Sequence, residues 1–125
     1  MLEFRDVELY YDHVYALKGV SLNLNQGETV ALIGANGAGK SSILRAITGL
    51  AKLAKGSVMF EGDRIDGISP SDIVKRGIAM VPEGRRVFPF MSVKDNLMMG
   101  AFTRSDKADI QRTLDSILTR FPRLK

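Results

Sequence analysis

The chain has 125 residues, no cysteine, and a formal charge of +4 from 18 basic and 14 acidic side chains. That length holds one domain with a real core, and the missing thiols exclude a disulfide scaffold, a thiolate metal site and a cysteine nucleophile. No stretch approaches the ~18 apolar residues of a membrane span, the charged start Met1-Leu2-Glu3-Phe4-Arg5-Asp6 lacks a signal peptide's apolar run, and the basic excess forms no stripe with interleaved aromatics, so a mildly basic surface suited to a polyphosphate is expected and a nucleic-acid partner is not.

Leu2 to Tyr10 alternates apolar and polar residues, the period of a half-exposed antiparallel strand. Tyr11-Asp12-His13-Val14-Tyr15 reads as a turn, and alternation resumes from Ala16 to Asn25 through Leu17, Val20, Leu22 and Leu24. His13, alone in that turn, has no acid–base partner in the pattern and takes no role. Asn25-Gln26-Gly27-Glu28 turns the chain into Thr29-Val30-Ala31-Leu32-Ile33, a short β-branched run with the composition of a strand buried on both faces.

Gly34-Ala35-Asn36-Gly37-Ala38-Gly39-Lys40-Ser41 follows and fits G-x-x-x-x-G-K-[ST], the phosphate-binding P-loop. Ser41 to Thr48 then places Ile43, Leu44 and Ile47 on one helical face, with Gly49 as its stop. Strand, glycine loop and helix start in that order are what the chemistry requires. The first N–H groups of a helix have no intrahelical partner, and the helix dipole favours an anion there. Gly34, Gly37 and Gly39 can take positive φ and let the backbone close on phosphate oxygens, with Asn36 and Ala38 completing the loop's candidate ligand set. Lys40 would set its ammonium on the β- and γ-phosphates and the Ser41 hydroxyl would complete a Mg²⁺ shell. Ser42 is a further candidate, for the α-phosphate. The stretch points to a nucleotide.

Leu50 to Lys55 is a linker, and Gly56 to Gly62 reads as another strand of the antiparallel layer, closed by the turn Glu61-Gly62-Asp63. Ser69-Pro70-Ser71-Asp72 combines a serine N-cap, proline at the first helical position and an acid at the third, so a short helix is expected to run to Gly77. Ile78-Ala79-Met80-Val81 reads as a buried strand ended by Pro82. Pro82 to Met91 is irregular, and its apolar Val87, Phe88, Phe90 and Met91 suit either a partner-facing surface or packing beneath the next helix. Ser92-Val93-Lys94-Asp95 caps a helix through Met99. Ser105 is expected to open the last helix, with Ile110, Leu114, Ile117, Leu118 and Phe121 on one face before Pro122.

Taken together, Tyr11, the run Ile33 to Ser42, and Val81-Pro82-Glu83-Gly84-Arg85-Arg86-Val87-Phe88-Pro89 resemble the ATP-binding cassette subunits of ABC transporters, above all those of bacterial branched-chain amino acid importers. The resemblance covers the whole chain and implies an α/β fold: a P-loop NTPase core with an antiparallel β-layer over 1–92, and the start of a helical subdomain over 93–125. It implies ATP and Mg²⁺ as ligands, with Tyr11 stacking on adenine, Val14 padding the ring, and Lys40 and Glu83 acting at the reacting phosphate. Ser41 and Glu83 would be the groups nearest the metal. From the residues alone Tyr11 is an ordinary β-layer aromatic and Glu83 a solvated loop acid. Most of the family carries Gln at the latter position, while Glu fits the branched-chain type and adds charge near the metal.

The implied partners are a second ATP-binding subunit, identical or not, membrane permease subunits meeting residues 85–91, and indirectly a solute-binding protein. The implied place is peripheral, on the cytoplasmic face of the bacterial inner membrane. Alternatives are a nucleotide-binding module without turnover and the related urea or amide importers. The family's signature loop, catalytic Glu and switch His have no counterpart in this sequence, so the chain is expected to be an N-terminal part, marginally folded or self-associating alone, and inactive as an ATPase.

Overall fold

The computed structural model describes residues 1–84 and 86–125 and resolves them into two compact units, Met1–Met80 and Val81–Lys125. The irregular run after Met80 belongs with the second unit.

The first unit is organised around a four-stranded antiparallel sheet in the order β2-β1-β3-β4. Strand β1 (Leu2–Tyr11) pairs with β2 (Val14–Leu24) on one side and β3 (Lys55–Phe60) on the other, and β4 (Asp63–Arg64) closes the edge. The expected turn of Tyr11 to Tyr15 narrows to Asp12 and His13. Asp12 takes φ 51, the left-handed backbone a two-residue hairpin loop asks of its first residue, which lets Tyr11 and Val14 pair.

The alternation in β1 changes parity midway: Leu2 and Phe4 are buried, then Val7 and Leu9. A period of two cannot bring both pairs to one face without an extra residue, and the strand supplies it as a bulge. Asp6 turns to φ 45 there, receives a hydrogen bond from Ser21 Oγ on its carboxylate and donates its N–H to the same oxygen, each at 2.9 Å. Gly56 lies across from the bulge. A Cβ on it would stand 2.4 Å from the Arg5 carbonyl oxygen, so only glycine fits.

Helix α1 (Lys40–Ile47) covers the sheet, burying Ser42, Ile43 and Ala46. Ile43 and Ala46 join Leu2, Phe4, Val7, Leu9, Leu17, Val58 and Ile65 in one core. Each large apolar side chain in it contributes about 1.5–3 kcal/mol. Leu44 departs from expectation: it is exposed, because the core meets the helix along Ile43, Ala46 and Ile47. The helix ends as the sequence indicates. Gly49 takes φ 72, its N–H reaches Ala46 O at 3.3 Å and that of Leu50 reaches Arg45 O at 2.8 Å, the paired bonds of a Schellman stop. Helix α2 (Pro70–Lys75) starts at the expected Ser69 cap and buries Ile73.

Two expected strands do not form. Thr29–Ile33 and Ile78–Val81 run without strand pairing, Ile33 and Val81 are almost fully exposed, and only Leu32, Ile78 and Met80 are half-buried. A parallel strand exists only through its neighbours' hydrogen bonds, and among the described residues neither segment has a neighbouring strand to pair with.

In the second unit, helix α3 (Val93–Met99) starts at Ser92 as expected. Helix α4 (Lys107–Arg120) starts one residue later than the sequence suggests: Asp106, not Ser105, is the cap, its carboxylate accepting the N–H groups of Ala108 and Asp109 at 3.0 and 3.1 Å. Along the expected apolar face Leu114 is buried and Ile110, Ile117 and Leu118 half-buried, while Phe121 remains exposed before the closing 3-10 turn Pro122–Leu124. Among the described residues no helix is long and apolar enough to cross a membrane.

Candidate nucleotide site

The glycine-rich stretch forms a turn that delivers the chain into α1. Gly37 and Gly39 adopt φ 84 and 90, as the motif anticipates. Gly34 does not, and its requirement is space: a Cβ there would lie 3.1 Å from the Ala38 Cβ. Gly39 is constrained twice, by its φ and by crowding, since a Cβ would meet Leu17 Cδ2 at 2.8 Å and the Ala16 carbonyl oxygen at 2.9 Å. The turn is thus seated on strand β2.

Gly39 is also the N-cap of α1, with no side-chain cap and no acid in the first turn. The helix ladder begins at Ile43, whose N–H reaches Gly39 O at 3.0 Å. The N–H groups of Lys40, Ser41 and Ser42 therefore precede the ladder and are available to an anion, with the positive end of the dipole behind them. Lys40 curls back over the turn, its Nζ donating to Gly34 O at 2.5 Å and Ala35 O at 2.7 Å. The ammonium is held over the cradle by the loop's own carbonyls. Asn36, Ala38 and Ser41 are exposed around it, and Ser42 is buried against the core.

These residues fit a magnesium–polyphosphate. Ser41 offers an exposed hydroxyl at the helix start beside a cationic side chain, with close backbone approach secured by Gly34 and Gly39. Among the described residues no cluster of His, Cys, Asp or Glu gathers to hold a metal by itself, so a cation here would depend on phosphate oxygens.

Tyr11 and Val14 form the last cross-strand pair of the β1–β2 hairpin, and both are exposed. The preceding pair was not anticipated. Tyr10 and Tyr15 stack with ring centroids 4.3 Å apart and planes 4° from parallel, and Lys18 Nζ lies 5.6 Å from the Tyr15 centroid. Burial of the ring, then the hydroxyl of Tyr10 and the carboxylate of Glu8 beside it, push the Tyr15 hydroxyl up to about 12. Three tyrosines around one turn were the available signal, but which of them stack depends on the register.

Glu83 lies in the second unit, in an exposed bend whose carbonyl accepts from Arg86 Nε at 3.3 Å. Arg85, expected to head the partner-facing segment, lies outside the described residues. Farther along, Asn96 ties the segment to α3: its side-chain oxygen accepts the Phe88 N–H at 2.8 Å, and its amide donates to the carbonyls of Phe88, Met91 and Ser92 at 3.1, 3.3 and 2.9 Å. Val87, Phe88 and Met91 line an open apolar groove of about 450 Å³ with Val93, Leu97 and Leu124, while Phe90 is wholly exposed. Of the two readings of these apolar residues, packing beneath the helix is met only in part.

The chain is 48% identical over its full length to the high-affinity branched-chain amino acid transport ATP-binding protein BraG of Pseudomonas aeruginosa, covering 53% of it. It is 34% identical over 92% of its length to the probable branched-chain amino acid transport ATP-binding protein LivF of Archaeoglobus fulgidus, covering 48% of that protein. It thus spans about half the length of these curated relatives. Among solved structures, an ATP-binding subunit of an ABC transporter superposes with a TM-score of 0.82 at 31% identity, over 98% of this chain and 50% of that one. A dimeric ATP-binding cassette bound to ADP and Pi superposes with a TM-score of 0.77 at 25% identity, over 92% of this chain and 55% of that one. With the ABC transporter family model matching residues 17–124, the chain belongs to the ABC transporter family, as its ATP-binding cassette part.

Proposed function

We propose that the chain binds Mg²⁺-ATP as the nucleotide-holding part of an ABC importer subunit that energises uptake of branched-chain amino acids. The observation that carries this reading is the uncapped start of α1 with Lys40 held over a glycine cradle. In it, the free N–H groups of Lys40, Ser41 and Ser42 take phosphate oxygens, and Lys40 moves from the Gly34 and Ala35 carbonyls to the β- and γ-phosphates. Ser41 supplies a hydroxyl to the magnesium. Bound magnesium would neutralise charge on the phosphates. Tyr11 stacks on the base, with Val14 at its edge.

Glu83 acts at the metal and attacking water; this role rests on the sequence resemblance. Turnover belongs to the complete subunit, paired with a second ATP-binding subunit on the cytoplasmic face of the membrane. The 125-residue chain by itself binds without hydrolysis. Residues 85–91, of which Val87, Phe88 and Met91 line the apolar groove and Phe90 is exposed, are the surface for the permease, and the solute-binding protein acts through that permease. Branched-chain amino acids are favoured over urea or amides by Glu83 and by the names of the relatives.

Calorimetry of Mg²⁺-ATP binding to the intact protein tests this reading. Lys40→Ala removes charge-assisted phosphate contacts and should weaken binding by ~1.5–3 kcal/mol. Unchanged affinity would overturn it.

A further inference from the structure

We infer that Tyr15 is a positioning residue for nucleotide binding: stacked on Tyr10, it fixes the register of β2 at the hairpin tip and so keeps Val14 opposite Tyr11 on the sheet face that carries α1. The inference rests on the reading of Tyr11 as the base-stacking residue. Successive side chains of a strand point to opposite faces. Leu9 and Leu17 share a core with Ile43 and Ala46 of α1, so Tyr10, next along the strand, lies on the open face and Tyr11 returns to the face of the helix.

The register is interrupted just below the tip. Leu9 pairs with Leu17 but Tyr10 pairs with Tyr15, which leaves Ala16 as an extra, unpaired residue of β2. That bulge is where the phosphate-binding turn abuts the sheet, since Gly39 has no room for a Cβ beside the Ala16 carbonyl oxygen at 2.9 Å. Tyr11, two residues beyond Leu9 on a part of β1 without a bulge, keeps its face whatever β2 does, but a slip of β2 by the one extra residue would carry Val14 to the open face and away from Tyr11. The Tyr10–Tyr15 stack is the first cross-strand contact beyond the bulge, braced by Lys18 over the Tyr15 ring. It ties the base-stacking tip to the strand on which the phosphate-binding turn sits.

The test compares ATP with inorganic tripolyphosphate, which uses the cradle and not the tip, in the intact protein. Tyr15→Leu should weaken ATP binding roughly three- to tenfold and leave tripolyphosphate unchanged, and Tyr15→Phe, which keeps the stack, should stay within about twofold for both. Equal weakening for both ligands, or none for either, overturns the positioning role. Tyr11→Ala run in parallel separates the two ideas: if it leaves ATP affinity unchanged, the base-stacking reading fails, whereas weakening by Tyr11→Ala but not by Tyr15→Leu defeats the positioning role alone. A second readout survives poor folding of Tyr15→Leu. The sequence has no tryptophan, so Tyr11→Trp is a single reporter, and Tyr10→Leu in that background should reduce its quenching at saturating ATP. Undiminished quenching would overturn the proposal.

Discussion

Helix α1 and helix α4 start in opposite ways. The first turn of α4 is closed by its own side chains: Asp106 accepts two backbone N–H groups and Asp109 adds a carboxylate, itself paired with Arg104 and with Arg112. Helices α2 and α3 follow the same plan, with Ser69 and Asp72, and Ser92 and Asp95. The first turn of α1 has a left-handed glycine where a cap would be and no acid. Each capped start spends its orphan donors internally. The α1 start leaves them for an anion, and its stability comes instead from Ile43 and Ala46 in the core and from the Schellman stop at Gly49.

The sharpest way to break the contrast is Gly39→Ala. A β-carbon there combines left-handed strain with overlap against Leu17 and Ala16, at a cost of about 3 kcal/mol or more. Both the thermal midpoint and ATP affinity should fall. A midpoint within about 2 °C of the parent would show that the turn relaxes freely.

Removing a conventional cap should separate stability from binding. Asp106→Ala in α4 should destabilise by about 1 kcal/mol in chemical denaturation, without altering the affinity of the first unit for ATP. A matched loss of affinity would mean that α4 contributes to the nucleotide site.

Acid provides the smallest effect. The hydrogen bond from Lys75, then that from Ser69, holds the Asp72 carboxyl below its ordinary range, as Arg112 and then Arg104 do for Asp109. A carboxyl lowered in the folded state stabilises above its unfolded pKa and loses that contribution as pH falls through the lower folded value. The starts of α2 and α4 should therefore lose amide-exchange protection as pH falls below about 4. The start of α1, which has no first-turn acid, should show no such step. A parallel loss at Ile43 would dissolve the distinction.

The features that came through from the sequence are local ones. The P-loop spacing, the Ser69 and Ser92 caps and the Gly49 stop each lie within a few residues, where side chain and backbone meet whatever the rest of the chain does. Even there the sequence pointed to Ser105, whereas the cap is the adjacent Asp106, whose carboxylate accepts two N–H groups. The parity change from Phe4 to Val7 carried the bulge in plain view, but its partners Ser21 and Gly56 are distant in sequence.

By itself, then, the sequence determined an anion-ready helix start, an antiparallel layer and the capped helices, because turn chemistry, capping and period-two alternation act over a few bonds. Tertiary structure alone decided what depends on a neighbour. Thr29–Ile33 and Ile78–Val81 have strand composition but no partner among the described residues to accept their hydrogen bonds. Leu44 is apolar but has no core to meet. Tyr15 became a stacking partner only because an extra residue at Ala16 set it opposite Tyr10, and Gly39 became indispensable only because β2 lies against it. Pairing and packing are relations between distant residues, and a linear pattern records one side of each.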